Sequence, residues 1–350
     1  MEQKLSYKWI DMGKLLAMLC VITIHMYGKL YLKTEYIYAT TAGVSLFVIL
    51  SGFSTFLSYE KYTGNLWVKA MKKIAAIYIP YVVATFIYYI FDTDFFYLEE
   101  FFKRVLHCTA YGLFYYVSVY IQLTIISPIL YRFIADEKRR KNFLGVLVGF
   151  VTVCFIAHFT TLYTNVLDIY AGGGMLFGGT FLVVYYIGFC MAAFLPNINN
   201  RIIILSGFGV GTVGTILWGI FLMVKPLYLD AFLPFGAGFN PPSISFLIHT
   251  ILMMTMLFFM EGTIQIIAWK PLEIVYDRVS RLGKHTLFVF MYHMFITDHI
   301  IGWFVSQGIV INFMWLKIPV YYIVLYGGSI LIEKIYGRVM GYIQRVNIVK

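Results

Sequence analysis

The sequence predicts an all-α integral membrane protein, a bundle of about ten transmembrane helices with both termini in the cytoplasm. Composition is the first reason: of 350 residues 61% are hydrophobic and 13% charged, and the mean hydropathy is +0.79. No soluble globule could hide that much apolar surface. The second is length, because apolar runs recur at close to the roughly 20 residues that cross the hydrocarbon core of a bilayer. The third is the alternation of basic residues, 21 at one set of ends against 5 at the other. Loops rich in Lys and Arg stay in the cytoplasm, which fixes the expected orientation in the cell membrane.

Each span is an apolar run bounded by charges or turn residues. The first, 8–28, opens beside Lys4 and Lys8 and carries Asp11, Lys14 and His25. The runs 36–58 and 70–91 flank Lys61 and Lys69, and 111–133 ends before the basic segment 136–141, read as a solvated cytoplasmic loop. Then come 143–164, 175–195, 202–224 between Arg201 and Lys225, 244–268, 285–306 and 312–334. Pro80, Pro128 and Pro319 do not veto their helices, since packed neighbours satisfy the freed backbone groups. The segment 92–110 mixes Asp92, Asp94, Glu99 and Glu100 with Phe95, Phe96, Tyr97, Phe101 and Phe102, and is expected along the interface. The whole chain, 1–350, reads as one membrane-embedded domain with no repeat and no soluble domain.

Several function classes drop out. The net charge of +10 is scattered between apolar runs and forms no solvated stripe for nucleic acid. Cys20, Cys108, Cys154 and Cys190 lack metal or redox spacing, and no histidine pair has ligand spacing, so no metal is expected. Asp11 and Lys14 interrupt what would be the apolar core of a cleavable signal.

The informative residues are ionisable groups inside spans, which are costly and usually face a protein interior or a wet cavity. At 100° per residue, the eleven steps from Lys14 to His25 return to within about 20° of the same face, about 16 Å along the axis. Asp11 lies one turn before Lys14 on the same stripe. Two readings are open at this level. In one, Asp11 and Lys14 are an i,i+3 ion pair at the headgroups and His25 is a packing histidine. In the other, His25 is a general base or a transient acyl carrier. His293 reads either as a core hydrogen-bonded residue or as a second site histidine. Asp298 and His299 read as outer-surface groups, Glu261 as a structural carboxylate before a proton relay, and His158 and His249 as packing residues.

Motifs add to this. The Asp-x-x-Lys of residues 11–14, followed after ten residues by His25, resembles the first-helix signature of the acyltransferase-3 family of multispan membrane O-acyltransferases. GVSLFVILSGF (43–53), with Ser51, Gly52 and Phe53, is similar to the family's second-helix motif. YYVSVYIQLTIISP (115–128) resembles its Gln-then-Pro segment through Gln122 and Pro128, and LGKHTLFVFMYHMFI (282–296) its late Gly, hydroxyl and His pattern through Gly283, Thr286 and His293. Lys14 stands where the family often has Arg, Tyr120 and Ile121 where many members have carboxylates, and Lys69, Lys72 and Lys73 lie further from Pro80 than the family's basic pair does.

The resemblance implies transfer of a short acyl group, usually acetyl from cytoplasmic acetyl-CoA, to a hydroxyl of an extracytoplasmic glycan or lipid-linked sugar. It implies His25, Asp11 and Lys14 as the catalytic set, with acyl-CoA phosphates on Lys14, Lys69, Lys72 and Lys73. Ser51, Tyr120, Gln122, Tyr292 and His293 are the substrate or oxyanion candidates. A transporter or flippase for a polar solute or lipid-linked sugar is the rival reading, because charged residues lining a bundle serve transport equally well. A membrane sensor without chemistry is the third.

Overall fold

In this computed structural model the described residues are 7–30, 35–135, 143–163, 176–195, 198, 200–226, 228–232, 235, 241–309, 311 and 313–348. The basic segment 136–141 lies outside them. Among the described residues there is no strand, and nine helices are long and apolar enough to cross a membrane. A tenth apolar helix is shorter.

Helix α1 (Lys8–Leu30) starts at a carboxylate from another span: the Trp9 amide donates to Glu261 Oε2 at 3.2 Å. That bond satisfies a first-turn donor and sets negative charge at the positive end of the helix dipole. Glu261 is thus hydrogen-bonded to the main chain of another span. Helices α2 (Glu35–Thr40) and α3 (Ala42–Glu60) together make the second span. Helix α4 (Leu66–Asp92) is capped by Asn65, whose side chain accepts from the Trp67 amide at 2.9 Å, and it runs through a buried Pro80.

The segment expected at the interface contains α5 (Leu98–His107), an amphipathic helix with Phe101 and Val105 buried and Phe102 and Leu106 exposed. The Tyr81 hydroxyl ties α5 to α4 by donating to the carbonyl of Val105 at 2.9 Å. Helices α6 (Tyr115–Ala135) and α7 (Phe143–Tyr163) follow.

Helix α8 (Phe181–Phe194) is the shorter member, 14 residues where the sequence led us to expect a span over 175–195. At 1.5 Å per residue it is about 21 Å long, and a 3-10 turn, Leu176–Gly178, precedes it. Its core residues Phe181 to Tyr186 are buried on all sides. Two glycines let it touch α3 backbone to backbone. A Cβ at Gly188 would meet the Ile49 carbonyl, and one at Gly52 the Tyr185 carbonyl. Small residues at helix contacts are how spans approach closely without a hydrophobic driving force between them.

Helices α9 (Arg201–Val224) and α10 (Ile244–Ile267) pack by the same device, with Gly211 against the Met256 main chain. The last part of the chain is less regular than one apolar run suggests. An amphipathic helix α11 (Lys270–Ser280) is tied to the start of α1 by the Lys8–Asp277 ion pair at 2.7 Å. A 3-10 turn, Arg281–His285, leads into α12 (Thr286–Phe295). The chain then passes a π-helical turn, Ile296–Ile301, and α13 (Gly302–Ser306), before the long α14 (Met314–Ile348).

Candidate active site

A cavity of about 250 Å³ collects residues from five helices. Lys14 comes from α1; Ser51, Ser54 and Thr55 from α3; Lys73 from α4; Tyr116 and Tyr120 from α6; Thr286 and Phe290 from α12. Four sequence-derived site residues thus converge: Lys14, Lys73, Ser51 and Tyr120. Lys14 Nζ lies 3.3 Å from Asp11 Oδ1, so Asp11 holds the lysine from one turn away. Lys73 Nζ donates to Thr55 Oγ1 at 3.0 Å and pairs with no carboxylate among the described residues. Two ammonium groups with one carboxylate between them leave positive charge for an anionic ligand.

The other basic candidates lie elsewhere. Lys69 donates to the Ser58 carbonyl and, like the exposed Lys72, does not line the cavity. Gln122 donates to Ser118 Oγ at 3.2 Å on its own helix and does not line the cavity. Tyr292 is buried with its ring stacked on Phe288, and it too is outside the lining.

The 3-10 turn before α12 packs against α1, with Gly283 on the Asp11 main chain. Thr286, the next turn's first residue, donates to the Gly283 carbonyl at 3.0 Å and faces the cavity. A pair that sequence reasoning missed anchors this turn: His285 Nδ1 and Glu333 Oε2 are 2.6 Å apart, linking it to α14. The two residues are remote in the chain, and although His285 falls within the stretch 282–296, no local signal joins it to Glu333.

His25 is not part of the cavity lining. It is exposed, and its ring stands 5.3 Å from that of His293, centroid to centroid. His293 is 0% exposed. Its Nδ1 lies 3.0 Å from the Val289 carbonyl and 2.9 Å from the Phe290 carbonyl, while its Nε2 has no hydrogen-bond partner among the described residues. Phe290 joins the two places: it lines the cavity, and its ring is 6.5 Å from His293 and 5.3 Å from Tyr116. Just beyond, Thr297 of the π turn donates to the His293 carbonyl at 2.7 Å and touches Met26 Sδ at 3.3 Å, seating the turn against α1. Asp298 accepts from the Tyr111 hydroxyl at 2.7 Å and His299 lies 3.6 Å from Asp92.

Chemically, this is a cation-lined pocket with hydroxyl donors, separated by one aromatic ring from a pair of imidazoles. A family model described as an acyltransferase domain, the acyltransferase-3 model, matches residues 7–334. Neither the comparison with curated proteins nor that with solved structures returns a match.

Proposed function

The chain belongs to the acyltransferase-3 family and is a multispan membrane acyltransferase, and from that premise we propose that it moves a short acyl group, acetyl in the first instance, from cytoplasmic acyl-CoA to a hydroxyl of a cell-surface or lipid-linked glycan. The convergence of Lys14 and Lys73 on one cavity is the observation that carries this reading. Their end of the bundle is the basic, cytoplasmic end under the positive-inside rule. The two ammonium groups bind donor phosphates, and the thioester arm occupies the cavity toward Phe290. Ser51 and Tyr120 offer hydroxyl donors to the thioester carbonyl, where negative charge develops.

His25, open on its other side, is the general base. It takes the proton of the acceptor hydroxyl as that oxygen attacks the thioester carbonyl. The new C–O bond forms, the C–S bond breaks, and the departing thiolate recovers the proton from His25. Asp11 acts through Lys14 and touches neither reactant.

The test is incubation of radiolabelled acetyl-CoA with membranes that contain the protein or its His25→Ala variant at equal levels, followed by identification of the labelled product. Label in a glycan with the wild type and none with the variant is the expected result. Full transfer by His25→Ala rejects the assignment of the base.

A further inference from the structure

The orphaned ring nitrogen of His293 is the feature the reaction above does not use. Buried polar atoms nearly always find partners, and an unpartnered one needs a reason. Leaving a buried acceptor unmade costs about 1–3 kcal/mol. A leucine or phenylalanine would fill the same space in α12 without that cost. The surroundings of the ring also fix its protonation. Both atoms beside Nδ1 are main-chain carbonyl oxygens, at 3.0 and 2.9 Å. Carbonyls only accept, so Nδ1 must carry the proton, and the neutral ring presents a bare lone pair at Nε2.

That lone pair belongs to the ring whose centroid is 5.3 Å from the His25 centroid. An in-line N–H···N bond between two imidazoles places their centroids about 5 Å apart. The 5.3 Å separation matches that distance, and the exposed His25 ring is the one free to turn its inner N–H toward the buried partner. His293 is held against such movement by its two carbonyls, by burial and by the π turn packed on Met26. Single π turns inside helices are frequent at functional sites.

We propose that His293 is the positioning residue of the transfer, its Nε2 lone pair accepting the inner N–H of His25 while the outer nitrogen of His25 works on the acceptor hydroxyl. This rests on the reading of His25 as the base. Once made, the contact holds His25 in the tautomer whose outer nitrogen is unprotonated. When His25 takes the hydroxyl proton it becomes an imidazolium, and its inner N–H still points at His293. His293 keeps its Nδ1 proton throughout and never becomes charged. The arrangement serves the purpose of the carboxylate in a Ser-His-Asp triad, with a neutral acceptor in place of a charge that would be costly inside a membrane bundle.

Two substitutions separate positioning from packing. Glutamine at 293 reaches the position of Nε2 with an amide oxygen that can accept, whereas asparagine reaches only the position of Nδ1. In full-length protein in lipid nanodiscs, with labelled acetyl-CoA as donor, His293→Asn is expected to lower kcat about 100-fold and leave donor KM within about two-fold. His293→Gln is expected to recover to within about ten-fold of the wild type. Equal losses in both variants would mean a packing role and overturn the proposal, as would wild-type activity in both. An inactive His25→Ala beside a fully active His293→Asn removes this inference alone; a fully active His25→Ala removes the reading beneath it.

Should the Asn variant fail to fold, 15N NMR of histidine-labelled wild type decides, with His293→Gln assigning the signal. A protonated Nδ1 and a bare Nε2 support the proposal, and the opposite tautomer overturns it.

Discussion

Gly283 rests on the main-chain carbonyl of Asp11, so that a methyl group at position 283 would fall on that oxygen. The contact seats the 3-10 turn, and with it Thr286, against the helix that carries Lys14. Overpacking a site whose neighbour is backbone forces the two elements apart and costs about 1–3 kcal/mol. Gly283→Ala is therefore expected to lower the melting temperature in detergent and to reduce acyl transfer more than stability alone accounts for. Gly337→Ala is the control: it is exposed, with nothing within 4 Å of a built Cβ, and gains helix propensity of up to about 1 kcal/mol.

The lysines sort by where they point. Lys14 and Lys73 line the cavity and Lys72 does not. Loss of one charge-assisted phosphate contact raises the apparent donor KM about ten-fold, so Lys14→Ala and Lys73→Ala should each do so with acceptor KM unchanged. Lys72→Ala should leave both within about two-fold. Initial rates over a range of acetyl-CoA concentrations check this, and an equal effect of all three would argue for a diffuse basic surface.

These cases also show what the sequence could carry. The spans are legible because each is an apolar run between charges, and the motif-bearing stretches contain Lys14, Ser51 and Tyr120. Lys69, Lys72 and Lys73 could not be separated by composition. Neighbouring positions on a helix differ by 100°, and only the direction of α4 decides that Lys73 faces α3 and its Thr55. The run 285–306 reads as one helix, yet it contains a π turn, because nothing in its hydropathy reports that Thr297 must bond the His293 carbonyl while touching Met26. The partnership of His25 and His293 likewise depends on how α1 and α12 cross. Helix α8 falls short of its apolar run because the chain before it is spent on a 3-10 turn with a left-handed Phe177 and Gly178.

Glu261 serves α1 from a distance. Its carboxylate accepts from the Trp9 amide at 3.2 Å and lies at the helix start. Glu261→Ala removes both the bond and the charge, and should destabilise the protein by about 1 kcal/mol. Glu261→Gln keeps an acceptor and should lose about half of that. Thermal unfolding in one detergent ranks the three proteins, and a catalytic proton relay would instead show as lost turnover with no change in melting temperature.

Phe290 is the partition between the two halves of the site, since its ring lines the cavity and stands 6.5 Å from the His293 ring. In the proposed reaction the ring therefore stands between the thioester end of the donor and the histidine pair, and limits the access of water to the thioester. Truncation removes that screen and opens a void the size of an aromatic side chain, which in a polar-lined neighbourhood fills with water. Phe290→Ala is therefore expected to release free thiol from acetyl-CoA in the absence of any acceptor, at least about ten-fold faster than the wild type, while the acceptor-dependent rate falls. Phe290→Leu, which keeps most of the volume, should hydrolyse at close to the wild-type rate. A thiol-release assay without acceptor reads all three, and an unchanged blank rate in Phe290→Ala would mean that the route between cavity and histidines does not pass this ring.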